Sequence, residues 1–285
     1  MILKIFWLIL FTATIAQAQK LKPEFSVVLS DSIRETSGLV FTNDGLWTHN
    51  DDTDTNIYQL DTISGKIINT IFLPNVKNKD WEEIDADENY FYIGDFGNNV
   101  KGNRRDLQLL RVDKVSKKID TIAFRYSDQE NFLPEKPNKT DFDGEAFVVT
   151  ENYIFIFTKQ WKSKKTTVYQ LPKTPGNFLA KRMGEFNVKG LITGGTFVDK
   201  TLVFCGYNKK VKPFLFFVYD FDENFSSDFK TKKIKLKLPF HQVEGITSTD
   251  GKWFYFTNEK LQVQPFINVK AKLHKINLSQ FVSPE

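Results

Sequence analysis

Three glutamates stand in similar settings: Trp81-Glu82-Glu83-Ile84, Asp143-Gly144-Glu145-Ala146 and Val243-Glu244-Gly245-Ile246. Carboxylates brought to one low-dielectric point repel, so they protonate, pair or take up a cation. Calcium accepts about six to eight oxygen ligands and suits such a cluster. Glu82, Glu145 and Glu244 are therefore the candidate metal ligands, and Ca2+ is the candidate cofactor. A second polar layer ends the apolar runs, at His49-Asn50-Asp51, at Asp95 with Asn98 and Asn99, at Tyr207-Asn208, and at Asn258-Glu259. Glu35 opens the first run, and Arg104 follows Asn98 closely enough to pair with Asp95 or hold an anion. The ligand-binding candidates are thus Glu35, Asn50, Asp51, Asp95, Asn98, Arg104 and Glu259. His49 is a candidate general base near neutral pH, and Glu145 a candidate catalytic carboxylate. The competing uses are turn capping by the acids, a salt bridge from Arg104 and a structural histidine.

Other chemistry has little material. Asp52-Thr53-Asp54-Thr55-Asn56 begins like a calcium loop, but the following glycine is missing and Ile63 replaces the bidentate acid. No G-x-S-x-G, P-loop or H-E-x-x-H occurs, and His49, His241 and His274 are the only histidines.

The elements that must position these residues recur along the chain. A short polar lead, an apolar strand, a turn and an aromatic strand repeat five times, with turns at Asn43-Asp44-Gly45, Asp87-Glu88-Asn89 and Asp250-Gly251. Alignment of the copies places Ser37, Glu82, Glu145, Gly195 and Glu244 in one column, at spacings of 45, 63, 50 and 49 residues. Periods of about 40–50 residues with strand patterning indicate a β-propeller. The expectation is an all-β propeller of five four-stranded blades, with six as the alternative if the longest interval hides strands. A plain β-sandwich shares the short strands. The fifth copy is one strand short, and residues 24–30 form an unmatched strand that would close the last blade and remove free edges. The column glutamates would then meet at one end of a central channel.

Composition agrees with strands: Phe is present 28 times, with nine Tyr, five Trp and only two Met. The net charge of +4 is too small to argue for nucleic acid. Lys4, an apolar run and Ala16-Gln17-Ala18 read as a signal peptide over residues 1–18, leaving 19–285 as a single propeller domain. No lipoprotein cysteine follows the cleavage site, so the expected location is secreted or periplasmic, without a membrane span and as a monomer. Cys205, the only cysteine, lies in an apolar run and reads as a small buried hydrophobe. Lys233, Lys235 and Lys237 alternate with Ile234, Leu236 and Leu238, the pattern of a guarded edge strand.

In residues 35–39, 49–51, 80–84, 94–99 with Arg104, 143–146, 192–195 and 244–246 the chain resembles a widespread group of exported bacterial propeller proteins. These are distantly similar to the NHL-repeat, SdiA-regulated and gluconolactonase-type propellers. The resemblance implies a propeller, export and, by the gluconolactonase type, a divalent metal at the channel mouth on Glu, Asn and Asp. The ligands do not align one for one, and the fourth copy lacks its acid. Two functions compete: a binding propeller whose acidic mouth holds a ligand or protein partner, and a calcium-dependent hydrolase of lactones, esters or phosphoesters. A purely structural envelope protein is a third.

Overall fold

The computed structural model describes residues 20–226 and 229–282, so the signal-peptide segment lies outside the described residues. In chain order the strands are β1 (Lys20–Leu21), β2 (Phe25–Val28), β3 (Thr36–Thr42), β4 (Gly45–Asn50), β5 (Asn56–Leu60) and β6 (Ile67–Phe72). There follow β7 (Trp81–Ala86), β8 (Tyr90–Asp95), β9 (Leu107–Asp113), β10 (Ile119–Tyr126), β11 (Gly144–Val149), β12 (Tyr153–Thr158), β13 (Thr166–Pro172) and β14 (Gly176–Phe186). The last group is β15 (Leu191–Val198), β16 (Thr201–Tyr207), β17 (Pro213–Val218), β18 (Thr231–Leu236), β19 (Val243–Ser248), β20 (Trp253–Asn258), β21 (Leu261–Val263), β22 (Ile267–Val269) and β23 (Lys272–Asn277). A short helix, α1 (Ser279–Val282), ends the described chain, and no helix among the described residues is long and apolar enough to cross a membrane.

Hydrogen bonding gathers these strands into antiparallel runs of four: β3–β6, β7–β10, β11–β14, β15–β18, and β19, β20 and β23 closed by β2. The first strands of the runs neighbour one another cyclically, β3 beside β7, then β11, β15, β19 and back to β3. The protein is a β-propeller. Strand β2 pairs Phe25 with Lys275 and Val28 with Lys272, so the chain's beginning completes its last sheet.

Period-two side-chain alternation explains the ring. In β16 and β17, Leu202, Phe204, Phe214 and Phe216 face the third sheet, whereas Val203, Cys205, Leu215 and Phe217 face the fifth. Each remaining pair of adjacent sheets encloses its own apolar cluster, including the first and last. Middle strands such as β12, β16 and β17, covered on both faces, are apolar almost throughout. Outer strands such as β6 and β18 alternate or are exposed. Cys205 is buried among the fourth-to-fifth contacts.

Two features differ from the sequence expectation. Strand β14 starts at Gly176 and pairs in parallel with β10, joining the second and third sheets at their outer edges. The lysine-bearing strand β18 is not a wholly free edge, because Lys20 and Leu21 pair in parallel with Lys235 and Leu236.

Candidate functional site

Every inner strand is interrupted by a β-bulge at the same place, where the register slips by one residue. A bulge re-aims a side chain that regular alternation would turn into the sheet interface. The register puts Glu82 between Trp81 and Glu83, Glu145 between Gly144 and Ala146, and Thr193 between Ile192 and Gly194. Ser37 and Glu244 begin the equivalent irregularities in β3 and β19. The fourth member of the column is therefore Thr193, not Gly195. Ser37 and Thr193 turn their hydroxyls onto the next sheet, donating to the carbonyls of Glu82 at 2.8 Å and Val243 at 2.5 Å.

The three glutamates open into one cavity of about 230 Å3, lined also by Glu35, Asp51, Asp80, Lys159, Trp161, Tyr207 and Glu259. Two further positions per sheet supply this second set. Glu35, Asp80 and Gln242 immediately precede the inner strands, while Asp51, Lys159, Tyr207 and Glu259 immediately follow or end the second strands. The lining carries seven carboxylates and a single lysine.

Lys159 was not singled out by sequence, and it organises the site's charge. Its Nζ is 2.9 Å from Glu145 Oε1, with both side chains buried, and lies over the Trp161 and Tyr207 rings at 4.9 and 5.5 Å. Burial alone would discharge this ammonium, but Glu145, Glu244 and Glu82 hold it firmly protonated. One cation does not neutralise the cavity. Burial pushes Glu82, Glu145 and Glu244 well above the usual carboxylate range, and neighbouring carboxylates push further. Burial and then Asp52, Glu259 and Glu35 bring Asp51 to about 8. Burial likewise brings Glu259 to about 7 and, with Asp143, Asp80 to about 6.

The arrangement fits a hard cation. Glu82, Asp143 and Glu145 present carboxylate oxygens all within 4.8 Å of one another, and Glu35, Asp51 and Asp52 do the same nearby. Glu145 is 1% exposed, yet its Oε2 has no hydrogen-bond partner; Glu35 Oε2 and Asp51 Oδ1 are also unpartnered. Asp143 is oriented by Asn98 N–H at 2.6 Å and Trp161 Nε1 at 2.7 Å. Gly97 makes the room: a Cβ there would lie 2.3 Å from both the Asp80 carboxyl carbon and Glu82 Oε1.

The other sequence candidates take different places. Asp95, Asn98 and Arg104 form a bracket behind the cavity. Arg104 donates to Asp95 Oδ1 at 2.9 Å and to the Gly97 carbonyl at 2.8 Å, and Asn98 accepts from Arg104 N–H at 3.0 Å. Asn98 also donates to the Phe142 carbonyl, so the bracket holds Gly97 and Asp143 in position. Asn50 is buried and donates to Ser32 O and Asp54 Oδ2. His49 does not line the cavity. It is fully buried edge-on to Trp81, with Nδ1 on the Asn50 carbonyl, and burial lowers it to about 4. A histidine so placed is neutral at physiological pH and has no access to a substrate, which corrects the general-base expectation.

Glu83, adjacent to the sequence-selected Glu82, lies deeper. It accepts from the N–H groups of Leu39 on β3, Ile84 on β7 and Gly195 on β15, at 3.2, 3.1 and 2.8 Å. The consecutive glutamates of Trp81-Glu82-Glu83-Ile84 held the signal, since a bulge turns consecutive residues toward different partners.

The chain matches no family model and no curated protein. Among solved structures it is similar to a DUF4623 family protein from Bacteroides eggerthii, at TM-score 0.49 and 13% identity over 87% of this chain and 56% of that one. It is also similar to a Thermus thermophilus protein provisionally assigned as an oxidoreductase (glucose dehydrogenase), at 0.48 and 9% over 88% and 99% of the two chains. The WD40 repeats of RRP9 give 0.45 and 10% over 90% and 99%.

Proposed function

We propose that this chain is an exported, single-domain binding propeller whose acidic mouth takes up calcium and, through it, a ligand or protein partner. The observation that carries the reading is the cavity's seven carboxylates with one lysine, including a buried, unpartnered oxygen on Glu145. Glu82, Asp143 and Glu145 would be the ligands nearest Lys159, and Glu244 would complete the shell from the opposite wall. A cation there replaces protons that the buried acids otherwise retain, so binding releases protons. The test is calorimetric titration of calcium into the metal-free full chain and into its Glu82→Gln/Glu145→Gln variant. Binding weakened at least about tenfold in the variant supports the reading, by analogy with the loss expected when ligands are removed. No heat and no thermal shift at millimolar calcium overturns it.

A second reading, a calcium-dependent hydrolase of lactones, esters or phosphoesters, draws on Asp80 and Glu259. Their titration at about 6 and about 7 suits general acid–base work. Turnover of a lactone and phosphoester panel by the calcium-loaded protein, lost in Glu259→Gln, would favour it over simple binding.

A further inference from the structure

A second charged feature lies on the rim of the fourth sheet and has the opposite sign. A groove of about 700 Å3 runs along β18 and is walled by the turn after β16 and by residues 236–239. Among the described residues seven lysines line it, Lys20, Lys189, Lys210, Lys212, Lys233, Lys235 and Lys237, and no Asp or Glu does.

Guarding of an edge strand accounts for only part of this concentration. It explains alternate lysines on β18. It does not explain Lys189, Lys210 and Lys212, which arrive from two other segments, nor Lys20, which belongs to the strand that covers the edge. Lys20 is paired in register with Lys235, an arrangement that like-charge repulsion disfavours. Lys233 finds no acid. Its Nζ rests on the carbonyls of Val188 and Lys189 at 2.9 and 3.0 Å and 3.6 Å from the centre of the Phe214 ring. None of the ion pairs among the described residues involves any of the seven. The wall is ordered nonetheless, because Asn208 Oδ1 accepts from the N–H groups of Lys210 and Lys212.

We propose that this lysine groove binds a linear acidic polysaccharide, whose spaced anionic groups supply the counter-charge that the fold withholds. Lysines without arginine favour charge density over the forked geometry of a single carboxylate or phosphate. The only aromatic lining the groove, Phe214, is buried beneath Lys233, so there is no platform for stacked bases. A concave groove also matches a chain better than a flat bilayer.

The test measures binding of labelled dextran sulfate to the full chain by fluorescence anisotropy over a salt series, with neutral dextran as control. Lys210→Gln/Lys212→Gln/Lys237→Gln changes three exposed residues and should keep the parent's melting temperature. It should bind at least tenfold more weakly at about 0.1 M salt, with a salt slope shallower by about two. A control, Lys66→Gln/Lys117→Gln/Lys136→Gln, should bind like the parent. Equal binding of neutral dextran, unchanged binding by the groove variant, or an equal loss in the control overturns the proposal. Tighter binding to single-stranded DNA or to anionic phosphatidylglycerol vesicles than to dextran sulfate also overturns it.

Discussion

Lys159 and Glu145 make a buried ion pair inside a cavity that still carries excess acid, so the pair has consequences in both directions. Lys159→Met leaves Glu145 without its counter-charge, and removal of one partner of a buried pair costs about 3–5 kcal/mol. The variant should lose stability on that scale in urea unfolding and, under the proposed calcium binding, regain part of it in calcium, because a ligand that binds only the folded state stabilises it. The pH dependence follows from Asp51, Glu259 and Asp80, raised to about 8, about 7 and about 6. Unfolded carboxyls titrate near about 4. Above that pH the folded protein therefore holds more protons than the unfolded chain, and stability falls as pH rises through the folded values. The metal-free melting temperature should decline from pH 5 to pH 9, and calcium should flatten the decline by standing in for the protons. A rise over that range would contradict the assigned directions. His49 belongs to the same scale: its imidazole resonances should not titrate between pH 5 and 8, as burial holds the ring neutral.

At the level of elements the recurring bulge is the device that builds the site. It turns Glu82, Glu145 and Glu244 of β7, β11 and β19 into the cavity, and the residues just before β3, β7 and β19 add Glu35, Asp80 and Gln242. Gly97 shows how narrow the fit is. Gly97→Ala would drive a methyl into the space used by Asp80 and Glu82, both of which are flexible side chains rather than backbone. The fold should survive with a loss of about 1–3 kcal/mol. The proposed calcium binding should fall by an order of magnitude or more, a split that calorimetry and thermal melting together would read. The bracket of Asp95, Asn98 and Arg104 serves the same end, and its sequence signal of clustered polar residues was legible. Its role was not, because the partners Phe142 and Asp143 come from the next sheet, over 40 residues away.

For the whole molecule, ring closure demands close approach of inner strands. Gly38 has φ +63°, and a Cβ there would lie 2.5 Å from the Ile84 backbone nitrogen on the neighbouring sheet. Gly38→Ala combines a left-handed backbone with a clash against main chain, and should cost several kcal/mol, on the order of 2–4, in chemical denaturation. Glu83 acts on the same scale by tying strands of three sheets together. Its carboxylate is held high by burial despite three N–H donors, so Glu83→Ala strands those donors and should destabilise the ring by a comparable amount.

Strand patterning, turn residues, the repeat and its closing strand at β2 were all determined by the sequence, because period-two alternation and Gly/Asn/Asp turns are local properties. So were the identities of Glu82, Glu145 and Glu244, which share a local motif. Tertiary structure decided the rest. Thr193 displaced Gly195 from the column because the bulge in β15 falls between Ile192 and Gly194, a pairing with β16 that no linear alignment of short motifs resolves. Lys159 and Asp80 joined the cavity, beside the sequence-legible Tyr207, only when strands from different sheets closed into a ring, and the same closure left His49 sealed against Trp81. The site is read from the chain as a row of acids; the fold makes it a cavity in which seven carboxyl groups face one lysine and burial favours the protonated forms of Glu82, Glu244 and Asp51.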